Sequence, residues 1–463
     1  MLVIEILAAR VLAPYLGVSL EVFTGIIGVI LAGISVGAWL GGRAADRGNP
    51  RSLVGPLLVL GGLAAVASPL VVDLIGPALS TGPLSIVLAS SLGFFAPAAL
   101  LSAVPPIVVK IRLDSLEHTG SVVGSYSAIG TAGAILGTFL TGFVLIAAFP
   151  TRPIVIVVGG TLAAVGLALT VTGRRSIPTL AVLLPLGALV LVFDGPCEYE
   201  TTYHCAIVEE DEFRPGGRIL VLDRVRNSYV DLDDPTHLEF RYIELIADVI
   251  EVESPDGALD VVSIGGGGFT LPGYLAATRP GTRNTVLEID APLVEIGEKD
   301  LGLDESVEVI IEDARISLAR LRDDRADVVI GDAFSGASVP WHLTTVEFVG
   351  EIERVLADAG VYAMNVIDYG QREFARAAVA TLLEVFPNVV LLAPPSYISG
   401  AAGGNYVLVA SNQPIATEAI ERAVGARGSS EVAIEGPRLL DFVNDARVLT
   451  DDFAPVDQIV GRP

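Results

Sequence analysis

The sequence contains very little of several residue types that usually carry surface charge or metal chemistry. Of its 463 residues, four are His, two are Cys and two are Met, and Lys occurs only at Lys110 and Lys299. The four His show no metal-ligand spacing, so we expect no metal. Nearly all positive charge is therefore on Arg. A surface that is acidic and poor in Lys is compatible with a protein that works in concentrated salt.

Charged residues of either sign are sparse in the first part of the chain. Up to Phe193 there are nine Lys and Arg and six Asp and Glu, which leaves 20 and 48 for the remainder. The two parts thus carry formal charges of about +3 and −28, a strong asymmetry. We expect no nucleic-acid partner, because phosphates need a basic surface.

Long apolar runs take the place of charge in the N-terminal part. The chain is 52% hydrophobic with a mean hydropathy of +0.62, which is too apolar for a purely soluble protein. Runs of about 20 residues can cross a bilayer, so we predict about seven spans, a multi-pass protein of the cell membrane, and the lipid bilayer as a partner. The runs are 1–16, 22–40, 53–72, 84–109, 121–149, 153–171 and 177–193.

The first run differs from the others because it is short and contains Glu5 and Arg10. It lacks a basic n-region and a small-residue cleavage site, so we do not expect a cleaved signal peptide. We expect instead that this span is clipped or that the true start lies upstream. A structural ion pair near the interface is favoured for the two charges over a functional cavity.

Glycines recur at helical spacing in two of the runs, and this spacing lets helices approach closely in lipid. We therefore predict helix packing through small residues in the membrane part. The glycines concerned are Gly37, Gly41, Gly130, Gly133, Gly137 and Gly142.

The composition and pattern of the sequence change after Cys197, where charged turns separate short alternating segments. Short alternating strands predict a small β region up to about Val230, and strands alternating with helices from about Leu259 to Ser411 predict a parallel, doubly wound α/β sheet with helices on both faces. We expect a membrane domain over 1–193, a small β region with a tyrosine motif over 194–250, and a Rossmann-like nucleoside-binding domain over 251–463.

Acidic residues and glycines fall at the ends of the predicted strands, where such sheets bind ligands. The glycine run 265–268 ends the first strand, and Glu288 and Asp290 follow about twenty positions later at the end of the second. Asp313 and Asp332 end the third and fourth strands. This spacing favours a nucleoside site over solvated loop acids. Because the loop reads GGGG and not GxGxxG, an adenosyl group is favoured over a dinucleotide.

The segments IGGGG, LEID, IEDAR, IGDAF and VPWHLTTVEF resemble those of the spermidine synthases, aminopropyltransferases with an S-adenosylmethionine-dependent methyltransferase-like fold. The N-terminal segments EILAARVLAPYLG, GAWLGGRAADR and YSAIGTAGAILGTFLTGF resemble the membrane half of the fused transporter-like/spermidine synthase proteins. The resemblance covers nearly the whole chain. It implies transfer of an aminopropyl group from decarboxylated S-adenosylmethionine to a polyamine such as putrescine.

The same resemblance implies roles for single residues. Glu288 would bind the ribose, Asp313 the adenine amino group, and Asp332 would orient and deprotonate the attacking amine. Tyr242, from the tyrosine motif LEFRYIEL, would lie beside that amine. The remaining residues of the expected adenosyl site are Gly265, Gly266, Gly267, Asp290, Asn227, which stands where the family usually has Gln, and His204 in the opening-strand motif ETTYHCAIVEED.

The sequence also departs from the family pattern. Gly268 and Phe269 replace the acid and the last glycine of the family's GGGDG loop, Ser335 replaces the second acid after Asp332, and Ile243 follows the motif tyrosine. Three alternatives to the aminopropyltransferase therefore stay open: another substrate, a methyltransferase, or a non-catalytic polyamine- or nucleoside-binding module coupled to the membrane part. A homo-oligomer is kept among the expected partners.

Two signals place the C-terminal part on the outer face of the membrane, and one opposes this. The basic loops 43–51, 110–112 and 174–175 are assigned to the cytoplasm, so a full crossing by 177–193 would put the following domain outside. The lone pair Cys197 and Cys205 fits a disulfide, which indicates an oxidising compartment, although two buried thiols are an equal alternative. An S-adenosyl co-substrate, however, is made and kept inside the cell, and prolines 178 and 185 would allow a re-entrant segment.

Overall fold

The computed structural model describes residues 1–17, 19–79, 82–113, 119–173, 196–254, 257–334, 336 and 338–461. The chain divides into two compact units, Met1–Ala206 and Ile207–Pro463. The predicted span 177–193 and Ser335 lie outside the described residues.

The first unit is built from helices and one short strand pair. Its strands β1 (Tyr199–Glu200) and the start of β2 (Cys205–Glu210) pair antiparallel. Single π-helical turns at Ser91–Phe95 and Thr141–Leu145 interrupt the helical segments. The helices are α1 (Leu2–Leu16), α2 (Leu20–Arg47), α3 (Arg51–Ile75), α4 (Pro83–Ser90), α5 (Ala96–Ser102), α6 (Val104–Arg112), α7 (Thr119–Leu140), α8 (Ile146–Ala148) and α9 (Thr151–Gly173).

Five helical segments of this unit are long and apolar enough to cross a membrane by length and composition. They match five of the seven predicted spans. The run 1–16 forms α1, which has only 15 residues. A helix needs about 20 residues to cross a bilayer, so α1 is too short for a full crossing. The five segments are Leu20–Arg47, Arg51–Ala78, Pro83–Arg112, Thr119–Leu145 and Thr151–Val171.

Close helix packing through glycine is present at two of the predicted positions. A Cβ atom at Gly37 would lie 2.1 Å from the carbonyl oxygen of Ala99, and one at Gly41 would lie 2.3 Å from that of Ala103. The prediction is confirmed there, because any side chain would separate the helices. By contrast, Gly130 and Gly133 in α7 and Gly142 in the π-helical turn after it have no described atom within 4 Å of their Cβ positions.

Helices α3 and α9 cross at glycines that the sequence analysis did not single out. A Cβ atom at Gly62 would lie 2.4 Å from the carbonyl oxygen of Gly159, and one at Gly159 would lie 2.7 Å from that of Gly62. Gly55 and Gly166 oppose each other in the same way. Two reciprocal backbone contacts therefore hold this helix pair together.

Arg10 forms an ion pair at 3.4 Å with Glu200, which lies outside the first run that holds Glu5 and Arg10. Glu200 also accepts hydrogen bonds from the backbone N–H of Thr151 at the start of α9, at 2.9 and 3.0 Å. A carboxylate is favourable there, because the N-terminus of a helix carries partial positive charge.

The predicted bridge between Cys197 and Cys205 is present, with the two Cα atoms 5.1 Å apart. Glu200 lies inside the loop that this disulfide closes, so the bridge fixes the segment that supplies the carboxylate to Arg10. A loop this short gives about 2 to 3 kcal/mol of stabilisation in the chain-entropy model.

The second unit begins with antiparallel strands. Strand β2 is followed by β3 (Gly217–Leu222) and β4 (Val225–Asp231). Strands β3 and β4 pair through a short turn, with a register shift between Leu220 and Val221. These strands lie within the predicted β region.

The main sheet of the second unit has eight strands in the order β12-β10-β11-β9-β8-β5-β6-β7. Its first five strands in sequence, β5 to β9, pair in parallel and confirm the doubly wound α/β fold. The strands are β5 (Asp260–Ile264), β6 (Arg283–Glu288), β7 (Glu308–Ile311), β8 (Ala326–Gly331), β9 (Leu356–Asp368), β10 (Asn388–Ala393), β11 (Gly404–Ser411) and β12 (Val432–Ile434).

The prediction of a parallel sheet is wrong for the last three strands in sequence, because the sheet is mixed. Strand β11 pairs antiparallel with both β9 and β10, and β12 pairs antiparallel with β10. Ten residues, 394–403, connect β10 to β11. A parallel crossover needs about a dozen residues or more, so the chain returns antiparallel.

Helices cover both faces of this sheet, as predicted. The helices are α10 (Arg241–Glu253), α11 (Thr270–Thr278), α12 (Ala291–Asp300), α13 (Ala314–Arg320), α14 (Val346–Val355), α15 (Glu373–Leu383), α16 (Pro395–Ser399), α17 (Thr417–Ala426), α18 (Gly436–Val443) and α19 (Val456–Ile459). One face is packed by α13, α14, α15 and α18, and the other by α10, α11 and α17.

The α3–α9 crossing gives a first prediction. Gly62→Ala should destabilise the first unit by roughly 1 to 3 kcal/mol, because the added methyl overpacks the contact with Gly159. Gly160→Ala should be neutral or stabilising by up to about 1 kcal/mol, since no described atom lies within 4 Å of its Cβ position. Thermal unfolding of the full chain in detergent measures both, and equal melting temperatures for the two variants would contradict the packing.

Candidate functional site

A cavity of about 430 Å³ opens at the carboxyl ends of the parallel strands in the second unit. This volume is within the range of small-molecule sites. Residues from β4, α10, the glycine loop after β5, the end of β8, and β9 and β11 line it. Among the predicted site residues, the cavity brings together Asn227, Tyr242, Gly265, Gly266, Gly267 and Asp332.

Asp332 and Tyr242 meet in this cavity. The Tyr242 hydroxyl donates a hydrogen bond of 3.0 Å to Oδ2 of Asp332. Asp332 directly follows β8, and Tyr242 lies in the first turn of α10, 90 positions earlier in the sequence. The fold therefore joins the two residues that the resemblance assigns to the amine.

Two asparagines extend this hydrogen-bond chain. Asn365 on β9 donates from Nδ2 to Oδ1 of Asp332 at 2.8 Å, and Asn405 on β11 donates from Nδ2 to Oδ1 of Asn365 at 3.0 Å. All three residues line the cavity. Each carboxylate oxygen of Asp332 thus has a side-chain donor, which fixes the plane of the carboxyl group.

The environment of Asp332 gives its carboxyl group a pKa near neutrality. Burial raises the pKa of Asp332 to about 7, while the hydrogen bonds from Asn365 and Tyr242 lower it. Burial, and then the negative charge of Asp332, raise the pKa of Tyr242 well above its ordinary value of 10. At physiological pH the tyrosine is a neutral donor and the carboxyl group exchanges its proton readily, as a general base requires.

The glycine loop is packed against the protein's own groups. Gly266 donates its backbone N–H to Oε2 of Glu288 at 2.7 Å, and Gly268 donates to Oγ of Ser228 at 2.8 Å. A Cβ atom at Gly265, where φ is +94°, would lie 2.6 Å from the carbonyl oxygen of Asp332. The loop therefore needs glycine for close approach between β4, β5 and β8, in addition to any ligand.

Phe269 ends this loop in the left-handed region, with φ at 57°. Its side chain is only 3% exposed and packs with Val286, Val294 and Val307. The ring lies where a Cβ atom of Gly297 would be, 2.6 Å from that position. The aromatic ring thus fills a small core beneath the loop. The free energy gained by its burial offsets the cost of about 1 to 2 kcal/mol of placing an L-residue in the left-handed conformation.

Glu288 is buried under the glycine loop and does not line the cavity. Its oxygens accept from the backbone N–H groups of Gly266 and Asp290, at 2.7 and 2.8 Å. Asp290 is itself 1% exposed. The two residues support the loop in this structure, and their predicted roles toward ribose stay predictions.

Asp313 also lies away from the cavity, and both of its carboxylate oxygens have partners within the protein. Its Oδ1 caps α13 by accepting from the backbone N–H of Arg315 and Ile316, at 2.9 and 3.3 Å. Its Oδ2 lies 2.9 Å from Nε2 of His342. The sequence analysis gave His342 no role in chemistry, although it stands in the family-like segment VPWHLTTVEF.

His204, expected in the adenosyl site, lies in the first unit instead. It lines a second cavity of about 190 Å³ there, together with Arg10, Asp73, Arg152 and Glu200. Its predicted place in the adenosyl site stays a prediction. In the described ranges, no group of three or more His, Cys, Asp and Glu residues could hold a metal ion.

Asn365 and Asn405 are the site residues that sequence reasoning missed. They carry no charge and lie inside strands, whereas the predicted ligand groups are acids and glycines at strand ends. A usable signal was present, because Asn365 interrupts the run Val361–Val366, whose residues are otherwise apolar and buried. A buried polar residue in such a run needs a hydrogen-bond partner.

The chain is similar to the polyamine aminopropyltransferase of Vibrio vulnificus, with 28% identity over 211 residues that make up 42% of this chain and 68% of that protein. It is also similar to a solved structure, described as a probable spermidine synthase from Corynebacterium glutamicum. That likeness has 28% identity and a TM-score of 0.52, and covers 56% of this chain and 97% of the other. No model of a known protein family matches the chain.

A further relative is the N-terminal histidine N-methyltransferase of Emericella nidulans, 29% identical over 161 residues, which are 33% of this chain and 28% of that protein. Together the likenesses support a spermidine synthase or polyamine aminopropyltransferase-like family, without a specific substrate. They also support a methyltransferase-like Rossmann fold with a mixed sheet.

The raised pKa of Asp332 gives a prediction for stability. Because its pKa is higher in the folded than in the unfolded chain, the folded state favours the protonated carboxyl group, and stability falls as pH rises toward and through about 7. Asp332→Asn should therefore gain in melting temperature over the wild type between pH 5.5 and 8.5. The exposed Asp452→Asn is the control, and a difference from wild type that does not change with pH would contradict the assignment.

Proposed function

We propose that the second unit is an aminopropyltransferase that transfers the aminopropyl group of decarboxylated S-adenosylmethionine to a polyamine such as putrescine. The observation that carries the proposal is the Asp332–Tyr242 pair in a cavity at the strand ends, with a carboxyl pKa of about 7. The family likeness supports the same reaction class.

The reaction would be an in-line displacement. The amine nitrogen forms a bond to the propyl carbon next to the sulfonium, the carbon–sulfur bond breaks, and its electron pair remains on sulfur in methylthioadenosine. The amine must lose a proton to attack, and ionised Asp332 can accept it. Because Tyr242 and Asn365 hold the carboxylate by hydrogen bonds, it is oriented before the amine binds.

The glycine loop and the acids beside it suit the adenosyl group of the co-substrate. Gly265 to Gly267 line the cavity, and their lack of side chains lets a nucleoside approach the backbone. Glu288 would bind the ribose and Asp313 the adenine amino group, as the resemblance implies. Neither carboxylate lines the open cavity. To bind the ligand, each would have to accept a hydrogen bond from it in addition to the hydrogen bonds from the protein described above.

Two rival functions are kept. A methyltransferase on the same fold is favoured by the relative from Emericella nidulans. A non-catalytic polyamine- or nucleoside-binding module is favoured by the departures in the glycine loop, where Phe269 is built into the core.

The functional proposal predicts release of methylthioadenosine when the full chain in detergent is given decarboxylated S-adenosylmethionine and putrescine. Asp332→Asn should lower kcat by roughly 10²- to 10⁴-fold, the usual contribution of a general base, and wild-type kcat/KM should rise with pH through about 7. Asp452→Asn is the matched control. Release of S-adenosylhomocysteine from S-adenosylmethionine would favour the methyltransferase, and binding without turnover would favour the non-catalytic module.

We also propose that the first unit spans the cell membrane several times. Support comes from the five long apolar helices and from large apolar side chains exposed on them, among them Trp39, Ile129 and Phe143. The disulfide between Cys197 and Cys205 supports an oxidising compartment for that loop. The outer face is therefore proposed for residues 197–205, against the expectation that an S-adenosyl co-substrate is kept inside the cell.

Labelling of intact cells tests this side of the membrane. A membrane-impermeant maleimide should label the protein only after treatment with an impermeant reductant, because both thiols are in the disulfide. Cys205→Ser, which leaves Cys197 without a partner thiol, should be labelled without reduction. If the wild type and the variant react only after the cells are opened, the loop is cytoplasmic.

A further inference from the structure

The cavity of about 190 Å³ in the first unit is formed by the ends of α1 and α3, the starts of α2 and α9, and the loop that the disulfide closes. Its lining residues all belong to Met1–Ala206, so the cavity belongs to that unit alone. Apolar side chains make up much of the wall, and four charged residues stand among them. The charged residues are Arg10, Asp73, Arg152 and Glu200.

Both acids on this wall already accept hydrogen bonds from the protein. Oδ1 of Asp73 accepts from the Tyr15 hydroxyl at 3.0 Å, and Oδ2 pairs with Nη2 of Arg152. The two oxygens of Glu200 accept from the backbone N–H of Thr151 at 2.9 and 3.0 Å. Because each carboxylate oxygen has a donor, the acids have little capacity left to hold a cationic ligand.

Two donors on the same wall are left over. Oγ1 of Thr151 and Nη1 of Arg152 are closed off from solvent and have no hydrogen-bond partner among the residues that the structure describes. Thr151 is only 3% exposed, and the two residues are adjacent at the start of α9. A buried donor without an acceptor is unfavourable. A ligand in the cavity can supply that acceptor to both residues.

The charge of the wall favours an anionic acceptor over a neutral one. Arg10 and Arg152 balance Asp73 and Glu200, and the N-terminus of α9 adds about half a positive charge. Hydrogen bonds from a guanidinium group to a carboxylate are about twice as strong as those between neutral groups. A carboxylate also has two oxygens side by side, so it can accept from both donors at once.

The volume and the rest of the wall restrict the remainder of the ligand. A water-sized group takes about 30 Å³, so a cavity of about 190 Å³ holds about six non-hydrogen atoms. Val11, Val22, Phe23 and Pro69 line it and offer apolar contacts. Burial of a short apolar chain is favourable against such a wall, whereas a second charged group would be left without a partner.

We propose that this cavity is a binding site for a small monocarboxylate with a short apolar tail, whose carboxylate accepts hydrogen bonds from Thr151 and Arg152. Butanoate, with six non-hydrogen atoms, is the probe that fits this description. The site belongs to the first unit and does not depend on the reaction proposed for the second unit.

The test compares binding of butanoate, butanamide and 1-aminobutane to the full chain in detergent, by calorimetry near neutral pH. The three probes have the same chain length and differ in the charge of the head group. The wild type should bind butanoate about tenfold more tightly than butanamide, because only the carboxylate gains charge-assisted hydrogen bonds. It should not bind 1-aminobutane measurably, because an ammonium group has no acceptor for the two donors.

Substitutions at Thr151 test the hydroxyl donor. Thr151→Val keeps the shape of the side chain and the backbone N–H to Glu200 but removes the hydroxyl, so butanoate should bind about tenfold more weakly. Thr151→Ser keeps the hydroxyl and should bind butanoate as the wild type does. Thr161→Val is the matched control on the same helix, because the Thr161 hydroxyl donates to the carbonyl oxygen of Val157 and does not line the cavity. It should leave binding unchanged.

Arg152→Lys tests the second donor without leaving Asp73 unpaired. Lys keeps the positive charge but lacks the planar fork that lets Arg bond Asp73 and a ligand together, so the preference for butanoate over butanamide should shrink about tenfold. Melting temperatures show whether each variant is folded, and the Val and Ser variants at 151 decide the outcome if Arg152→Lys is not. Three results would each overturn the inference: no binding of butanoate by the wild type, equal binding of butanoate and butanamide, or the same butanoate affinity in Thr151→Val and Thr151→Ser.

Discussion

The carboxyl group of Asp332 is buried, and the donors that it needs come from three different parts of the fold. Tyr242 reaches it from α10, Asn365 from β9, and Asn405 acts through Asn365 from β11. A buried carboxylate without such donors would be costly. The antiparallel return of β11 beside β9 is therefore more than a variation of the sheet, because it brings Asn405 to Asn365 and completes the chain of hydrogen bonds.

The sequence was informative wherever chemistry and local pattern coincide. Glycines after an apolar run and acids at successive strand ends predicted the strand-end site, and Asp332 and Tyr242 do meet there. Five apolar helices follow from run length alone, and the disulfide from two lone cysteines. Each of these predictions depends on a short stretch of sequence, because the residues needed for the structure or the site all lie within that stretch.

The sequence was least informative about pairing at a distance. Nothing local distinguishes Gly62 and Gly159 from other helical glycines, because their function depends on which helices cross. The same holds for Asp313 with His342 and for Asp73 with Arg152, which join segments that are far apart in the chain. The direction of β11 could have been predicted, since the connection to it is too short for a parallel crossover.

The ring of Phe269 lies where side chains at two glycines, Gly266 and Gly297, would have to be placed. It occupies the volume that a Cβ atom would need at Gly297, and it lies 2.7 Å from the Cβ position of Gly266. A large residue at 269 is therefore compatible only with glycine at both other positions, whereas glycine at 269 would free position 297 to carry a side chain. Across related chains, these three positions should therefore vary together, with a large residue at 269 only where both other positions are glycine.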